Sequence, residues 1–289
     1  MTSCRRPVQT GPGSKSPCKR PGPEGSCLLM LARIVSFLFW LYIGILCISF
    51  FPIAVTIWLV TLPFDRRRFV LHKFTCFWAG MFTWPNPHWN VRIEYAAPLD
   101  RKQTYVIVSN HLSLVDIPVV FRLFLHFKWV SKSENFKIPF VGWNMRLNKY
   151  IELNRGSNRS NARMMQECEA ALKGGSSVYI FPEGTRSSTG RVGKFRRGAF
   201  ELAKRAGAPI LPIVIEGSSR ALPKKGLVLR GFHRIRVRVL EPVAVSEIEG
   251  LEADELTALV ENRIRAEHER MLAQHGPAIV PDTEAAAVK

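Results

Sequence analysis

No C-x-x-C pair, no H-E-x-x-H and no cysteine–histidine spacing suited to zinc occurs in the 289 residues. The six cysteines (Cys4, Cys18, Cys27, Cys47, Cys76 and Cys168) are scattered. That argues against a disulfide framework or a zinc site and leaves free thiols in a reducing compartment as the simplest reading. The seven histidines form no metal-binding pattern, so neither a metal nor a bound cofactor is expected. Also missing is G-x-S-x-G, the mark of a serine nucleophile on a strand-to-helix turn. Acidic side chains are few, 23 Asp and Glu against 41 Lys and Arg, for a formal net charge of +18. Such a surplus favours anionic partners: nucleic acid, an anionic membrane surface or phosphorylated substrates. No internal repeat is visible.

Charge is absent altogether from Ile34 to Phe64. About 20 apolar residues cross a bilayer core as a helix, so this stretch reads as a membrane anchor. Pro52 divides it and leaves two forms open, a spanning helix with a kink or a shallow hairpin. Arg33 and the tail precede it, and Arg66, Arg67 and Arg68 follow it. Lys and Arg favour the cytoplasmic side, so basic residues at both ends favour the hairpin, with the chain's main body facing the cytoplasm. Residues 1–27, rich in Gly, Pro, Ser and basic side chains, cannot bury enough surface to offset their ordering entropy and are expected to be a disordered basic tail. The alternative is that translation begins at Met30.

Beyond about residue 100 short apolar runs alternate with amphipathic segments. Strands are expected at 105–109, 128–131, 150–153, 177–181, 210–215 and 235–240, and helices near 114–125, 158–173 and 197–206. That alternation predicts an α/β fold, a mixed, mostly parallel sheet flanked by helices, preceded by the membrane segment. The expected organisation is a tail (1–27), an anchor (28–64), one α/β domain (65–245), and a C-terminal helix and tail (246–289). The helix near 253–274 reads as a packing or surface element.

Ligands of open α/β sheets bind beyond the carboxyl ends of the strands. His111 lies just past the first strand, in "YVIVSNHLSLVD". Glu183 and Arg186 follow the strand at 177–181, in "FPEGTRSS", and Arg155 follows the one at 150–153. If these strands are neighbours, the groups converge. Five residues of helix turn through about 500°, so His111 and Asp116 do not share a helical face. They meet if His111 sits in the turn and Asp116 in the first helical turn, where the carboxylate would orient the imidazole as a base. Equally, "SLVD" fits a capping box, with Ser113 as N-cap and Asp116 three residues on. Arg186 suits a phosphate, which arginine binds bidentately. Arg191, Lys194, Arg196 and Arg197 add charge before a helix, and solvated surface is the plainer reading of Arg191 and Arg196.

"NHLSLVD", "YIELNR", "FPEGTRS" and "ILPIVIEG", in this order, resemble the four motif blocks of the glycerolipid acyltransferases, which include the 1-acylglycerol-3-phosphate acyltransferases. The resemblance covers about residues 65–245. It departs at Asn154, where the family often has aspartate before the arginine. It implies that His111, held by Asp116, deprotonates the sn-2 hydroxyl of lysophosphatidate. The alkoxide then attacks the thioester of acyl-CoA or acyl carrier protein. Arg155, Arg186 and Lys194 would hold the glycerol phosphate, and Glu183, Gly184 and Thr185 would line the acceptor site. Membrane lipids are the expected surroundings (the inner membrane if the chain is bacterial), with no nucleic-acid partner. Rival readings are transfer to another lysolipid, a thioesterase-like hydrolase, and a non-catalytic basic protein that binds membrane or nucleic acid.

Overall fold

The apolar stretch forms one helix, α1 (Pro23–Thr61), followed by α2 (Phe69–Gly80), in a computed structural model that describes residues 23–154, 158–222, 228–229 and 231–275. Then come β1 (Trp89–Tyr95), β2 (Val106–Ser109), α3 (Asp116–Phe121), β3 (Phe127–Lys132), α4 (Val141–Leu147) and β4 (Ile151–Leu153). After these follow α5 (Asn158–Lys173), β5 (Ser177–Ile180), α6 (Gly198–Ala206), β6 (Ile210–Glu216), α7 (Ser218–Ala221), β7 (His233–Val239), α8 (Val245–Glu249) and α9 (Ala253–His275).

The sheet has seven strands in the order β1-β7-β6-β2-β5-β3-β4. All neighbours pair parallel except β6 and β7. The mixed, mostly parallel sheet of the sequence analysis is therefore the fold. Its central strand shows why: all four residues of β2 are buried, as parallel strands covered on both faces require. Alternate side chains serve opposite layers. Ile107 joins Tyr179, Leu211 and Val119 on one face. Val106 and Val108 join Phe200, Leu202 and Val260 on the other.

Two expectations change. First, Pro52 does not divide the apolar stretch into a hairpin; α1 runs through it without a break. Proline removes a single backbone donor, and packing holds the helix after it, at Ala54 and Trp58, as well as before it. Phe50 lies against Phe74, Phe77 and Trp78, and Phe51 against Phe140 and Trp143. The chain reverses later, where Asp65 accepts the backbone N–H groups of Phe69 and Val70 at 2.8 Å each and so caps α2. Second, α1 already begins at Pro23, inside the expected tail, proline being well suited to a first helical position. Of the two readings of the helix near 253–274, α9 follows the packing one. Leu256, Val260, Ile264 and Met271 are buried in the same layer as β2, so residue 245 bounds no packing unit.

The sequence reading also missed β1 and α2. β1 is an edge strand that carries Arg92 and Glu94 outward. α2 is apolar on most sides because it packs between α1 and α3, and it therefore lacks a clear stripe.

Candidate active site

Asn110 extends β2 by one residue. Its amide pairs with the backbone of Ile215 on β6, donating to the carbonyl at 2.8 Å and accepting from the N–H at 2.9 Å. This fixes where the strand ends, and the next residue, His111, turns off the sheet. Its Nδ1 lies 2.8 Å from Asp116 Oδ2. The same oxygen accepts the backbone N–H groups of Leu112 at 2.6 Å and Ser113 at 2.8 Å. Asp116 is fully buried and is the first residue of α3. Asp116 thus orients the imidazole and ties the turn, but the expected capping box does not form: Val115, not Ser113, is the N-cap of α3, and Ser113 Oγ donates to the Leu222 carbonyl at 2.6 Å. A hydrogen bond from Nδ1–H to a carboxylate leaves Nε2 as the basic nitrogen.

On the neighbouring strand β5, the chain continues into Phe181, Pro182 and Glu183. Glu183 Oε1 accepts the backbone N–H of His111 at 2.8 Å, and Oε2 accepts that of Gly193 at 3.0 Å. Burial pushes the Glu183 carboxyl up, against the pull of these two hydrogen bonds. The Ser187 N–H donates to the carbonyl of His111 at 2.8 Å. Two strand ends are thereby stitched together around one imidazole, which also stacks on Phe181 with ring centroids 3.9 Å apart.

A cavity of about 630 Å³ opens beside His111. Gly184, Thr185 and Arg186 line it together with His111, and its walls are largely apolar: Trp78, Phe82, Phe121, Trp129, Met145 and Phe181. Leu153, at the end of β4, also borders it. Of the residues expected from sequence, the structure thus brings together His111, Asp116, Glu183, Gly184, Thr185 and Arg186. Lys194 is exposed and does not line the cavity, although it adjoins Gly193. Arg155 lies outside the described residues.

Sequence reasoning missed the apolar walls, Asn110 and Gly193. Wall residues such as Trp129 and Met145 are ordinary core types whose shared cavity exists only after folding. Gly193 is constrained because a Cβ there would lie 2.6 Å from Glu183 Oε2, a closeness that only the fold creates.

Comparison with known proteins shows which family the fold and motifs belong to. An acyltransferase family profile matches residues 90–216, which hold the motifs described above apart from Gly217, the last residue of the fourth. The chloroplastic 1-acyl-sn-glycerol-3-phosphate acyltransferase BAT2 of Brassica napus is 32% identical over 246 residues, covering 84% of this chain and 69% of its own. This chain belongs to the glycerolipid acyltransferase family. Chloroplastic LPAT1 of Arabidopsis thaliana, another acyltransferase of that name, is 35% identical over 192 residues, 66% of this chain and 53% of its own. Among solved structures, the 1-acyl-sn-glycerophosphate (LPA) acyltransferase PlsC of Thermotoga maritima matches with a TM-score of 0.68 at 25% identity. That match covers 84% of this chain and 98% of the other. The shared fold therefore extends well beyond the motif-bearing centre.

Proposed function

We propose that the chain transfers an acyl group from an acyl-CoA or acyl-carrier-protein thioester to the sn-2 hydroxyl of lysophosphatidate, forming phosphatidate for phospholipid synthesis. One observation carries this reading: the His111–Asp116 pair, 2.8 Å apart, stands at an apolar cavity that Arg186 also lines. An apolar cavity suits a fatty chain, an oriented imidazole suits a hydroxyl that must lose its proton, and a guanidinium suits a phosphate. The relatives' shared name, 1-acyl-sn-glycerol-3-phosphate acyltransferase, supports the acceptor.

His111 Nε2 takes the hydroxyl proton as the oxygen attacks the thioester carbonyl. Asp116 stabilises the imidazolium. Collapse of the tetrahedral adduct breaks the C–S bond, and the leaving thiolate takes the proton back. No acyl-enzyme is required. The described cysteines agree with this, since burial pushes the thiols of Cys76 and Cys168 up to about 12, where a thiolate nucleophile is scarce at neutral pH. Arg186 holds the acceptor phosphate, assisted by Arg155, while Gly184 and Thr185 line the acceptor side and Glu183 fixes the turn behind it; Lys194, exposed and off the cavity, takes no part in the clamp.

The same reading sets the domain on the cytoplasmic leaflet (the inner membrane if the chain is bacterial). Among the described residues one helix, over Met30–Thr61, is long and apolar enough to cross a membrane. Labelled acyl-CoA incubated with and without lysophosphatidate tests the proposal. Thiol release that depends on the acceptor and yields phosphatidate supports it. Acceptor-independent release would make the chain a hydrolase, and no release from either donor would remove the activity.

A further inference from the structure

The C-terminal helix α9 reaches the active site through an ion pair that lies outside the stretch matched by the family profile. Its buried face, Leu256, Val260 and Ile264, packs beneath the sheet. One position beyond two of these residues stand Glu261 and Arg265, whose side chains meet at 2.6 Å. Arg265 donates to the carbonyls of Val192 at 2.8 Å and Gly193 at 3.4 Å. Glu261 Oε2 accepts the backbone N–H of Phe195 at 2.8 Å. The pair therefore grips both sides of Lys194. The same short segment is tied to the catalytic turn from within: Gly193 N–H donates to Glu183, Glu183 accepts from His111 N–H, and Arg196 N–H donates to the Pro182 carbonyl at 3.0 Å.

We infer that Glu261 and Arg265 are positioning residues for acyl transfer, acting through Gly193 and Glu183 on the turn that carries His111. A backbone segment between two strand ends has no ladder of its own to hold it. Its register is set by whatever accepts its N–H groups and donates to its carbonyls. Here a single i,i+4 pair does both, and it is anchored on a helix whose own place is fixed by core packing. Without it, Gly193 is free to withdraw from Glu183, and Glu183 loses one of the two hydrogen bonds that hold its carboxylate in place. The inference rests on the acyltransferase reading of the site, and its experiment separates the two.

Transfer kinetics are measured on the full-length chain in detergent for wild type, Arg265→Met, Arg265→Lys, Glu261→Gln, Glu183→Gln and the Arg265→Met/Glu183→Gln double variant, with thermal melting of each. Misplacing a catalytic group by about 1 Å from a distance costs up to roughly 100-fold. Arg265→Met is therefore expected to lower kcat about 10-fold to 100-fold, with little change in the donor KM. Arg265→Lys, which keeps a donor for Val192, should recover part of that loss. The double variant should be no slower than Glu183→Gln alone, because both changes break one path. Losses that multiply in the double variant would overturn the inference, as would a fall in melting temperature with kcat unchanged. Amide exchange supplies a readout independent of activity: exchange across 192–195 must quicken in Arg265→Met while that of α9 does not. Quickening of both would reduce the pair to a helix staple. If wild type transfers nothing, the functional reading fails, and the exchange result still decides whether the pair holds the segment.

Discussion

The imidazole of His111 lies flat against the ring of Phe181, with centroids 3.9 Å apart and planes 11° from parallel. The ring contributes more than apolar filling. When His111 accepts the hydroxyl proton, an imidazolium forms over an aromatic face, an arrangement worth about 0.5–2 kcal/mol. Phe181→Leu keeps the volume roughly and loses the face, so kcat should fall between about two- and thirty-fold. Unchanged kcat in steady-state assays would show that the stacking serves packing alone.

Asp116 accepts three hydrogen bonds on one oxygen, from His111 Nδ1 and from the backbone N–H groups of Leu112 and Ser113. Asp116→Asn weakens all three and removes the charge that stabilises the imidazolium. Activity should fall by about 10²–10⁴-fold, and the melting temperature should drop as well, because a buried turn loses its cap. His111→Ala should show a loss of similar size without the stability penalty. Equal melting temperatures for the two variants would mean that the cap contributes nothing.

Arg186→Lys keeps the charge at the cavity and loses the planar fork that matches phosphate oxygens. The acceptor KM should rise while the donor KM stays near its wild-type value. The reverse pattern in initial-rate measurements would assign Arg186 to the donor.

The His111–Asp116 pair could be read from the sequence because strand and motif coincide there. The apolar run at 105–109 ends, and a polar turn must follow. His111, Glu183 and Arg186 all lie within six residues of a parallel strand's carboxyl end, where side chains converge whatever the loop details. Glu261 and Arg265 could not be read. They sit among many charged residues on a helix of ordinary amphipathic pattern, and only the folded register brings them to residues 192–195. Basic residues at both ends of the apolar stretch pointed to a hairpin, whereas the packing of Phe50 and Phe51 before Pro52 and of Trp58 after it, which keeps α1 continuous, exists only in the fold. Lys128 gave no sequence signal at all, yet it is among the most constrained cations in the fold.

Lys128, buried in β3, donates to the carbonyls of Arg67 at 2.6 Å and Asn148 at 2.8 Å, tying the α1–α2 turn to the end of α4. Burial pulls its amine down from 10.5 to about 7, with Asp65 opposing and Lys149, Arg68 and Arg67 adding to the fall. The folded-state value is depressed, so between about pH 7 and 10.5 the unfolded chain binds a proton that the folded chain does not. Stability therefore increases with pH across that window and is lost again as pH falls toward 7. Lys128→Met removes the titration. The melting temperature of wild type relative to the variant should climb from pH 7 to pH 9, and a difference constant with pH would refute the assignment.

The last prediction concerns how α1 meets the membrane. Large apolar side chains at Met30, Ile34, Phe37, Leu41, Ile45 and Ile48 are exposed at helical spacing, a lipid-facing stripe rather than a protein core. The other face is anchored along its length. Ser36 Oγ accepts the Leu229 N–H at 2.8 Å, Phe39 meets Trp89, the Tyr42 hydroxyl donates to the Met81 carbonyl at 3.0 Å, and Trp58 lies under Arg68. From Ser36 to Trp58 the helix covers about 33 Å, more than the roughly 30 Å of a bilayer's hydrocarbon core. Both ends of that span touch the domain that carries His111. A helix held in this way cannot send its N-terminal end across the bilayer while the domain stays in water, so α1 should lie along one leaflet. The two-ends-on-one-side arrangement that the hairpin was meant to explain then survives without the hairpin. Arg33→Cys and Arg66→Cys, each in a background with the native cysteines replaced, should react with a membrane-impermeant maleimide from the same side of oriented vesicles. Labelling from opposite sides would mean that α1 spans the bilayer and that its contacts with the domain break on insertion.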